Sequence, residues 1–369
     1  MSLLKNIEHG IKAMVFNLLK SFLKKGSPEL FQLDGHKMHK ILFLRPEKIG
    51  DMLSTFPVID ALKNNFPHLK ISILASPKNI ALIKNDPRFD KIYIYHKRIW
   101  RDLFQLRQIR KENYDCVIDM ICNDSVTALL ISQYCVKDCP RIGVEKVKYG
   151  GFYDFKFNNN SDHIIDNTLE TLTAFGINPA SASGFAPPYI GKKDFKLAED
   201  HFDQYKTGHP LIKKIGFNLS AGSPTRILSN DKLLEIISPI LALNNDYHIF
   251  LFTTPGERGR AEEIMRNFKS RVNLIPQNMN LIQASALISK LDIMISPDTS
   301  LIHIARSLQI PVIGLYSQCQ WNLLWWHPYK QREGAVLSSN NDNIHDISVD
   351  RILTTFESVM LNKMASEGK

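Results

Sequence analysis

Short unbroken apolar runs alternate along this chain with longer stretches whose apolar residues recur at helical spacing. Runs of that length, bounded by turn-forming residues, fit strands covered on both faces, and the stretches between them fit amphipathic helices. In the first half the pattern predicts strands at 41–44, 71–74, 91–95, 115–120 and 141–144, with helices at 51–64, 77–83, 100–111 and 124–134. A helix over 162–177 follows and stops at Gly176, since glycine is favoured just past a helix C-terminus. A stretch rich in Pro, Ser, Ala and Gly at 178–193 opens an interdomain linker placed at 178–205. Alternation then resumes, with strands at 214–219, 248–253, 272–274, 292–295 and 312–315 and helices at 231–243, 257–268, 281–290 and 299–308. The tail, 346–369, holds a last amphipathic helix at 347–361, expected to pack back across the first domain. The prediction is an α/β chain of two domains, 38–177 and 206–345, each a parallel sheet covered by helices, together facing one cleft.

The first 25 residues form a separate amphipathic unit. Leu4, Ile7, Ile11, Met14, Val15, Leu18 and Phe22 recur at helical spacing, interrupted or flanked by Lys5, Lys12, Lys20, Lys24 and Lys25. Those charges break the apolar middle a signal peptide needs, and no small-residue cleavage site follows. Two placements stay open: in the plane of an anionic leaflet, or packed on this protein or a partner copy. No run of about 18 apolar residues occurs that would span a bilayer.

Composition narrows the classes. The length of 369 residues is long for one core, and a 44% hydrophobic share excludes a wholly disordered chain. The net charge of +9, from 46 Lys and Arg against 37 Asp and Glu, favours an anionic partner: nucleotide, nucleic acid or acidic membrane face. Five scattered cysteines lack paired C-x-x-C spacing. They read as buried free thiols in a reducing cytoplasm, although Cys135 and Cys139 could share a helix face.

Candidate chemistry gathers where strands hand over to helices. Asp51 follows the strand at 41–44 and Gly50, a position suited to a helix cap or to a general base taking a proton from a hydroxyl. Arg45 and Lys48 beside it would keep that carboxylate ionised or bind an acidic acceptor, or else are solvated loop charges. In the second half Pro297 and Asp298 break a strand, and Thr299 and Ser300 open a helix whose unpaired N–H groups and dipole favour phosphate. A phosphorylated ligand is the first expectation. His303, one turn on, points to the same side, to bind phosphate or to pack, and Asp298 either binds sugar hydroxyls or caps the helix.

Opposite them, Ser220, Ala221, Gly222 and Ser223 let backbone N–H groups approach phosphate, with Arg226 to neutralise charge. Glu257 starts a helix, where it accepts from ribose hydroxyls or serves the helix dipole alone. The aromatic stretch WNLLWWHPY at 321–329 reads as packing or as a cleft rim. Neither a Walker loop nor G-x-G-x-x-G is present. No D-x-D occurs to hold a divalent ion, so neither metal nor cofactor is expected, and helix N-termini with arginine would stabilise a leaving group.

Taken together, LRPEKIGDMLSTFPVIDALKNNFP, ILASPKNIALIKNDPRFDKIYIY, DHIIDNTLETLTAFGI, NLSAGSPTR and SPDTSLIHIA resemble the heptosyltransferase-type glycosyltransferases of family 9. The resemblance implies a GT-B fold of two Rossmann-like domains, with the acceptor bound by the first and the nucleotide sugar by the second. It implies Asp51 as base, and Asp298, Thr299, Ser300 and His303 at the donor diphosphate, with serine in place of the usual glycine. Arg226 matches the family's basic residue after the A-G loop, although the K-x-W-P that usually follows is absent and LYSQ replaces F-G-P-T. The implied reaction moves heptose from ADP-heptose, with inversion, to a Kdo or heptose hydroxyl of the lipopolysaccharide inner core. The implied setting is cytoplasmic, at the inner face of the inner membrane, without nucleic acid. Two rivals stand beside it: a GT-B enzyme using another nucleotide sugar such as UDP-N-acetylglucosamine, and a noncatalytic nucleotide- or nucleic-acid-binding protein. Charge alone supports the last, and no basic run interleaved with aromatics accompanies it.

Overall fold

The computed structural model describes residues 10, 13–27, 32–136, 138–158, 161–205, 212–268 and 270–367. Leu4, Lys5, Ile7, Ile11 and Lys12 of the expected N-terminal helix lie outside the described residues, while residues 13–19 are helical. Two compact units meet between Gly184 and Phe185.

The first unit runs β1 (Lys40–Leu44), α1 (Ile49–Asn65), β2 (Lys70–Ala75), β3 (Lys91–Ile94), α2 (Ile99–Lys111), β4 (Cys116–Asp119), α3 (Val126–Cys135), β5 (Arg141–Val144) and β6 (Phe155–Phe157). Its six strands pair in parallel in the order β3-β2-β1-β4-β5-β6. Central β1 reads KILFL, apolar without alternation, because helices cover both faces of the sheet. The chain steps outward from β1 to β3 and then returns to place β4 beside β1, so strand order reverses between β1 and β4. Right-handed crossovers put the helices of the two runs on opposite faces. Accordingly Ile109 of α2 and Ile131 of α3 share one core with Leu42 and Leu44. The expected helix at 162–177 divides into α4 (Ile164–Leu169) and a 3-10 turn, Glu170–Phe175, and stops at Gly176, whose φ of 71° suits glycine.

The second unit repeats this plan. It runs α5 (Lys192–Asp203), β7 (Lys213–Asn218), α6 (Asn230–Leu243), β8 (Tyr247–Phe252), α7 (Arg258–Arg266), β9 (Val272–Leu274), α8 (Leu281–Ile288), β10 (Ile293–Pro297), α9 (Ser300–Ser307), β11 (Val312–Tyr316), α10 (Gln320–Trp326), β12 (Ala335–Leu337) and α11 (Val349–Glu367). The order β12-β11-β10-β7-β8-β9 reverses between β7 and β10.

Several elements differ from the sequence expectation. α5 occupies the end of the stretch assigned to the linker and packs on α8; charged residues around Phe195, Ala198 and Phe202 dilute its apolar stripe. The edge strands β6 and β12, three residues each, were not expected from the sequence. Cys135 closes α3 and Cys139 lies beyond it, so the two share no helix face, and all five cysteines are free. From the last helix Ile352, Phe356, Val359 and Met360 join the core of the second sheet. Phe356 is fully buried there. Phe356→Ala should therefore lower the unfolding free energy of the second unit by about 3–5 kcal/mol, read as an earlier urea transition for that unit with the first unit's transition in place.

Candidate functional site

In the first unit the site grows from the end of β1. Arg45, the next residue, is fully buried. Its Nε donates to the Asp51 carbonyl at 2.7 Å, and Nη2 donates to the Ser54 hydroxyl at 2.9 Å. Nη1 donates to the Glu47 carboxylate at 2.8 Å and to the Met120 carbonyl just past β4. One guanidinium thus ties the β1 end to the first turn of α1 and, across the reversal of strand order, to the end of β4. Arg45 was expected at the acceptor; the structure corrects this, because the side chain faces inward and holds the loop. Burial works against its charge, but the carboxylates of Glu47 and Asp51 outweigh it and hold its pKa above the ordinary guanidinium value. Lys48, by contrast, is exposed.

Asp51 takes the capping role left open for it. Its Oδ2 accepts from the Lys48 N–H at 3.0 Å, which is a capping contact, while Oδ1 stands 4.0 Å from Arg45 Nη2. The side chain keeps 19% exposure, enough to meet a ligand hydroxyl.

Further groups that sequence alone did not single out lie along the same edge of the sheet. Burial raises the Glu47 carboxyl to about 6, against the pull of Arg45 and with the Asp51 charge adding to it. At the end of β4 Asp119 is fully buried, 2.9 Å from Lys146 Nζ, and accepts from the Tyr153 hydroxyl at 2.7 Å. Glu145, past β5, has its carboxyl raised by burial to about 7, and its Oε1 is buried without a hydrogen-bond partner. The carboxyl edge of the first sheet is thus a row of acids held in place by buried cations.

The second unit has a counterpart stitch. Asn218, the last residue of β7, donates from Nδ2 to Ser296 Oγ at 3.0 Å and Thr299 Oγ1 at 3.1 Å, and its Oδ1 accepts from Ser220 N–H at 3.1 Å. Ser220 Oγ in turn accepts from Thr254 N–H at 2.8 Å. The result is a pocket of about 440 Å³ lined by Ser220, Ala221, Gly222, Thr254, Thr299 and Ser300 on its polar side. Phe252, Pro255, Ile275 and Met279 supply apolar walls, with Asn278 and Asn280 at hand, a mixture typical of a small-molecule site. A Cβ on Gly222 would meet nothing within 4 Å, so the chain itself does not require glycine there and its open side is available to a ligand.

Arg226 Nη1 pairs with the Asp298 carboxylate at 2.9 Å and donates to the Asp298 carbonyl at 2.8 Å, and Asn322 Nδ2 donates to the same carboxylate at 2.8 Å. Asp298 therefore holds Arg226 at the entrance of α9, and the arginine side chain stays 41% exposed. Ser223 Oγ lies 2.9 Å from Thr225 Oγ1 and shapes the turn before Arg226. His303 sits half-buried, its ring 5.2 Å from that of Trp326. Glu257 stands at the start of α7, as expected; it pairs with Arg260 at 3.1 Å and lines a separate depression with Asn230 and His345. Arg258, unremarked in the sequence, lines the main pocket instead and donates to the Ile275 carbonyl at 2.6 Å.

Among the described residues no group of three or more His, Cys, Asp or Glu is placed to hold a metal ion, and no helix is long and apolar enough to cross a membrane.

The sequence model of the family described as Glycosyltransferase family 9 (heptosyltransferase) matches residues 103–354. Lipopolysaccharide core heptosyltransferase OpsX of Haemophilus influenzae is 24% identical over 304 residues, 80% of this chain and 83% of its own. The glycosyl transferase family 9 structure from Veillonella parvula superposes with a TM-score of 0.72 at 17% identity, covering 90% of this chain and 99% of that one. The E. coli heptosyltransferase WaaC, solved with ADP-2-deoxy-2-fluoro heptose, superposes with a TM-score of 0.65 at 17% identity over 86% of this chain and 99% of its own. The fold is GT-B, as expected.

Two measurements test the acid row. The Glu47 carboxyl holds its proton more tightly when folded, at about 6, than at its ordinary 4.5. The stability it adds is therefore present below pH 4.5 and lost as pH rises through 6. Glu47→Gln should flatten the Tm profile across that window, and an unchanged slope would assign the dependence to another group. Lys146→Met leaves Asp119 buried without its cation and should cost about 3–5 kcal/mol in denaturant unfolding.

Proposed function

Given that the chain belongs to glycosyltransferase family 9, we propose that it moves heptose from ADP-heptose to a Kdo or heptose hydroxyl of the lipopolysaccharide inner core, inverting the anomeric carbon. The observation that carries this reading is the division of chemistry between the units: a proton acceptor at the strand ends of one, an anion-receiving pocket at the strand ends of the other.

Asp51 takes the proton of the acceptor hydroxyl as that oxygen attacks the anomeric carbon. The bond from that carbon to the diphosphate oxygen breaks, and ADP leaves with the electron pair. Charge gathering on the diphosphate meets the first turn of α9, the N–H groups of the Ala221–Gly222 loop and Arg226. The apolar walls suit a flat nucleobase, and Asn278 and Asn280 can hydrogen-bond its edge. Arg226 and Asp298 act together, the carboxylate aiming the guanidinium. This reading needs no metal, because the cationic arginine and the helix end carry the leaving group's charge, and the sequence has no D-x-D to bind one. The acceptor's lipid anchor places the reaction at the cytoplasmic face of the inner membrane, with the protein as a peripheral visitor.

The deciding assay is ADP release from purified protein given ADP-heptose and a heptose-free lipopolysaccharide acceptor, with and without EDTA. Acceptor-dependent release that survives EDTA supports the reading; no release with a competent acceptor, followed by release from another nucleotide sugar, would overturn the choice of donor. Asp51→Asn keeps an oxygen for the Lys48 N–H but loses the base, and should lower turnover by about 10²- to 10⁴-fold. Unchanged turnover would remove Asp51 from that role. Arg226→Ala should lower kcat by about 10²-fold, the scale for losing one charge-stabilising group.

A further inference from the structure

We propose that one helical face of the first unit is a docking surface for an anionic phospholipid bilayer, formed jointly by residues 13–25 and α2. The inference deepens the reading above, resting on its lipid-anchored acceptor for its purpose but not for its geometry.

α2 and α3 cover the same face of the first sheet, as their shared core requires. The segment at 13–25 lies against α3: Phe16 and Leu23 pack with Val126 and Leu129, and the Phe16 ring is 4.7 Å from that of Tyr149. The Lys24 N–H donates to the Gln133 side-chain oxygen at 3.2 Å, and the Gln133 amide donates back to the Lys24 carbonyl at 2.8 Å. The segment, α3 and α2 therefore belong to one layer.

With inward contacts made by Phe16 and Leu23, the other side of the segment presents Met14, Leu18 and Phe22 at four-residue spacing, 60%, 65% and 84% exposed. α2 presents Trp100 and Phe104 at the same spacing, 84% and 60% exposed. Large exposed apolar residues scattered singly are ordinary, whereas two stripes on one layer are not. Charge selects the occupant. The exposed positions of α2 also carry Arg101, Arg107, Arg110 and Lys111, and the segment adds Lys20 and Lys25. The acid within α2, Asp102, is buried, where it accepts from the His96 and Arg98 N–H groups at 2.7 Å. Residues 13–27 contain no Asp or Glu. Lys24 pairs with the exposed Asp138 at 3.0 Å and adds no net charge to the face. Aromatic and aliphatic side chains that insert, set among the remaining cations, match an anionic headgroup layer. α2 starts just past the carboxyl end of β3, so Trp100 lies at the edge of the sheet that carries the Arg45–Asp51 loop. A lipid-anchored acceptor would arrive at that edge.

The test is co-sedimentation of the full chain with phosphatidylcholine vesicles, with and without phosphatidylglycerol, in the absence of donor and acceptor. Binding should require the anionic lipid and weaken with salt. It should fall about tenfold or more in Arg107→Ala/Lys111→Ala, since each cation near such a surface adds about a kcal/mol. Trp100→Ala/Phe104→Ala and Leu18→Glu/Phe22→Glu should each weaken it to a similar degree, while transfer to a deacylated, water-soluble acceptor stays at the wild-type rate. No wild-type binding to anionic vesicles, or binding indifferent to the aromatic and glutamate variants, would overturn the proposal. So would self-association in solution that these variants abolish, which would assign the face to a second copy. Vesicle binding without heptosyl transfer would instead count against the assigned reaction and leave the docking surface standing.

Discussion

A polar side chain at the end of the central strand, reaching across the point where strand order reverses, organises each unit. Arg45 extends from β1 to the Met120 carbonyl past β4, and Asn218 extends from β7 to Ser296 on β10. In an open parallel sheet covered on both faces, the inner strands are paired along their length and the loops beyond their carboxyl ends are left to meet a ligand, so ligand chemistry collects there. Two neighbouring strand ends pointing their loops apart leave a crevice, and without a tie across it the loops would be free to move. A buried guanidinium is a costly tie unless its N–H groups are satisfied. Here a carboxylate, two carbonyls and a hydroxyl receive them, and the same contacts fix the first turn of α1 on which Asp51 stands.

The two stitches differ in charge, and so do the edges they build. Around Arg45 and Lys146 the first unit accumulates Glu47, Asp51, Asp119 and Glu145, with burial pushing two of those carboxyls toward neutral pH. Such an edge takes protons. Around Asn218 the second unit has small residues, backbone N–H groups and Arg226, and the Asp298 carboxylate is already engaged by Arg226 and Asn322. That edge suits an anion. A transfer that removes a proton from one substrate and leaves negative charge on another calls for this division.

The same economy of position extends to the surface. Helices on one face of the first sheet turn one side to the core and leave Trp100, Phe104, Leu18 and Phe22 outward beside arginines and lysines. Helical periodicity made the segment's stripe visible in the sequence, where α2 shows only as a helix at 100–111. Only knowledge of which side of α2 meets the sheet separates Ile109, which is buried, from Trp100, which is not.

By itself the sequence determined the order and approximate limits of the long elements, the two-unit plan and the positions of Asp51 and Thr299 at helix starts, because period and capping preference are local properties. The edge strands FKF and AVL escaped it. Side-chain direction at the strand ends also escaped it: Arg45 and Lys48 look alike as loop cations, yet one is buried and the other exposed. Glu257 and Arg258 are adjacent, but the helix turn they begin sends the arginine to the main pocket and the glutamate to Arg260. Only the tertiary structure decided these cases. A charged side chain's role depends on which desolvated partners reach it from distant strands, and those partners, Met120 for Arg45 and Ile275 for Arg258, are brought near by the sheet order rather than by sequence proximity.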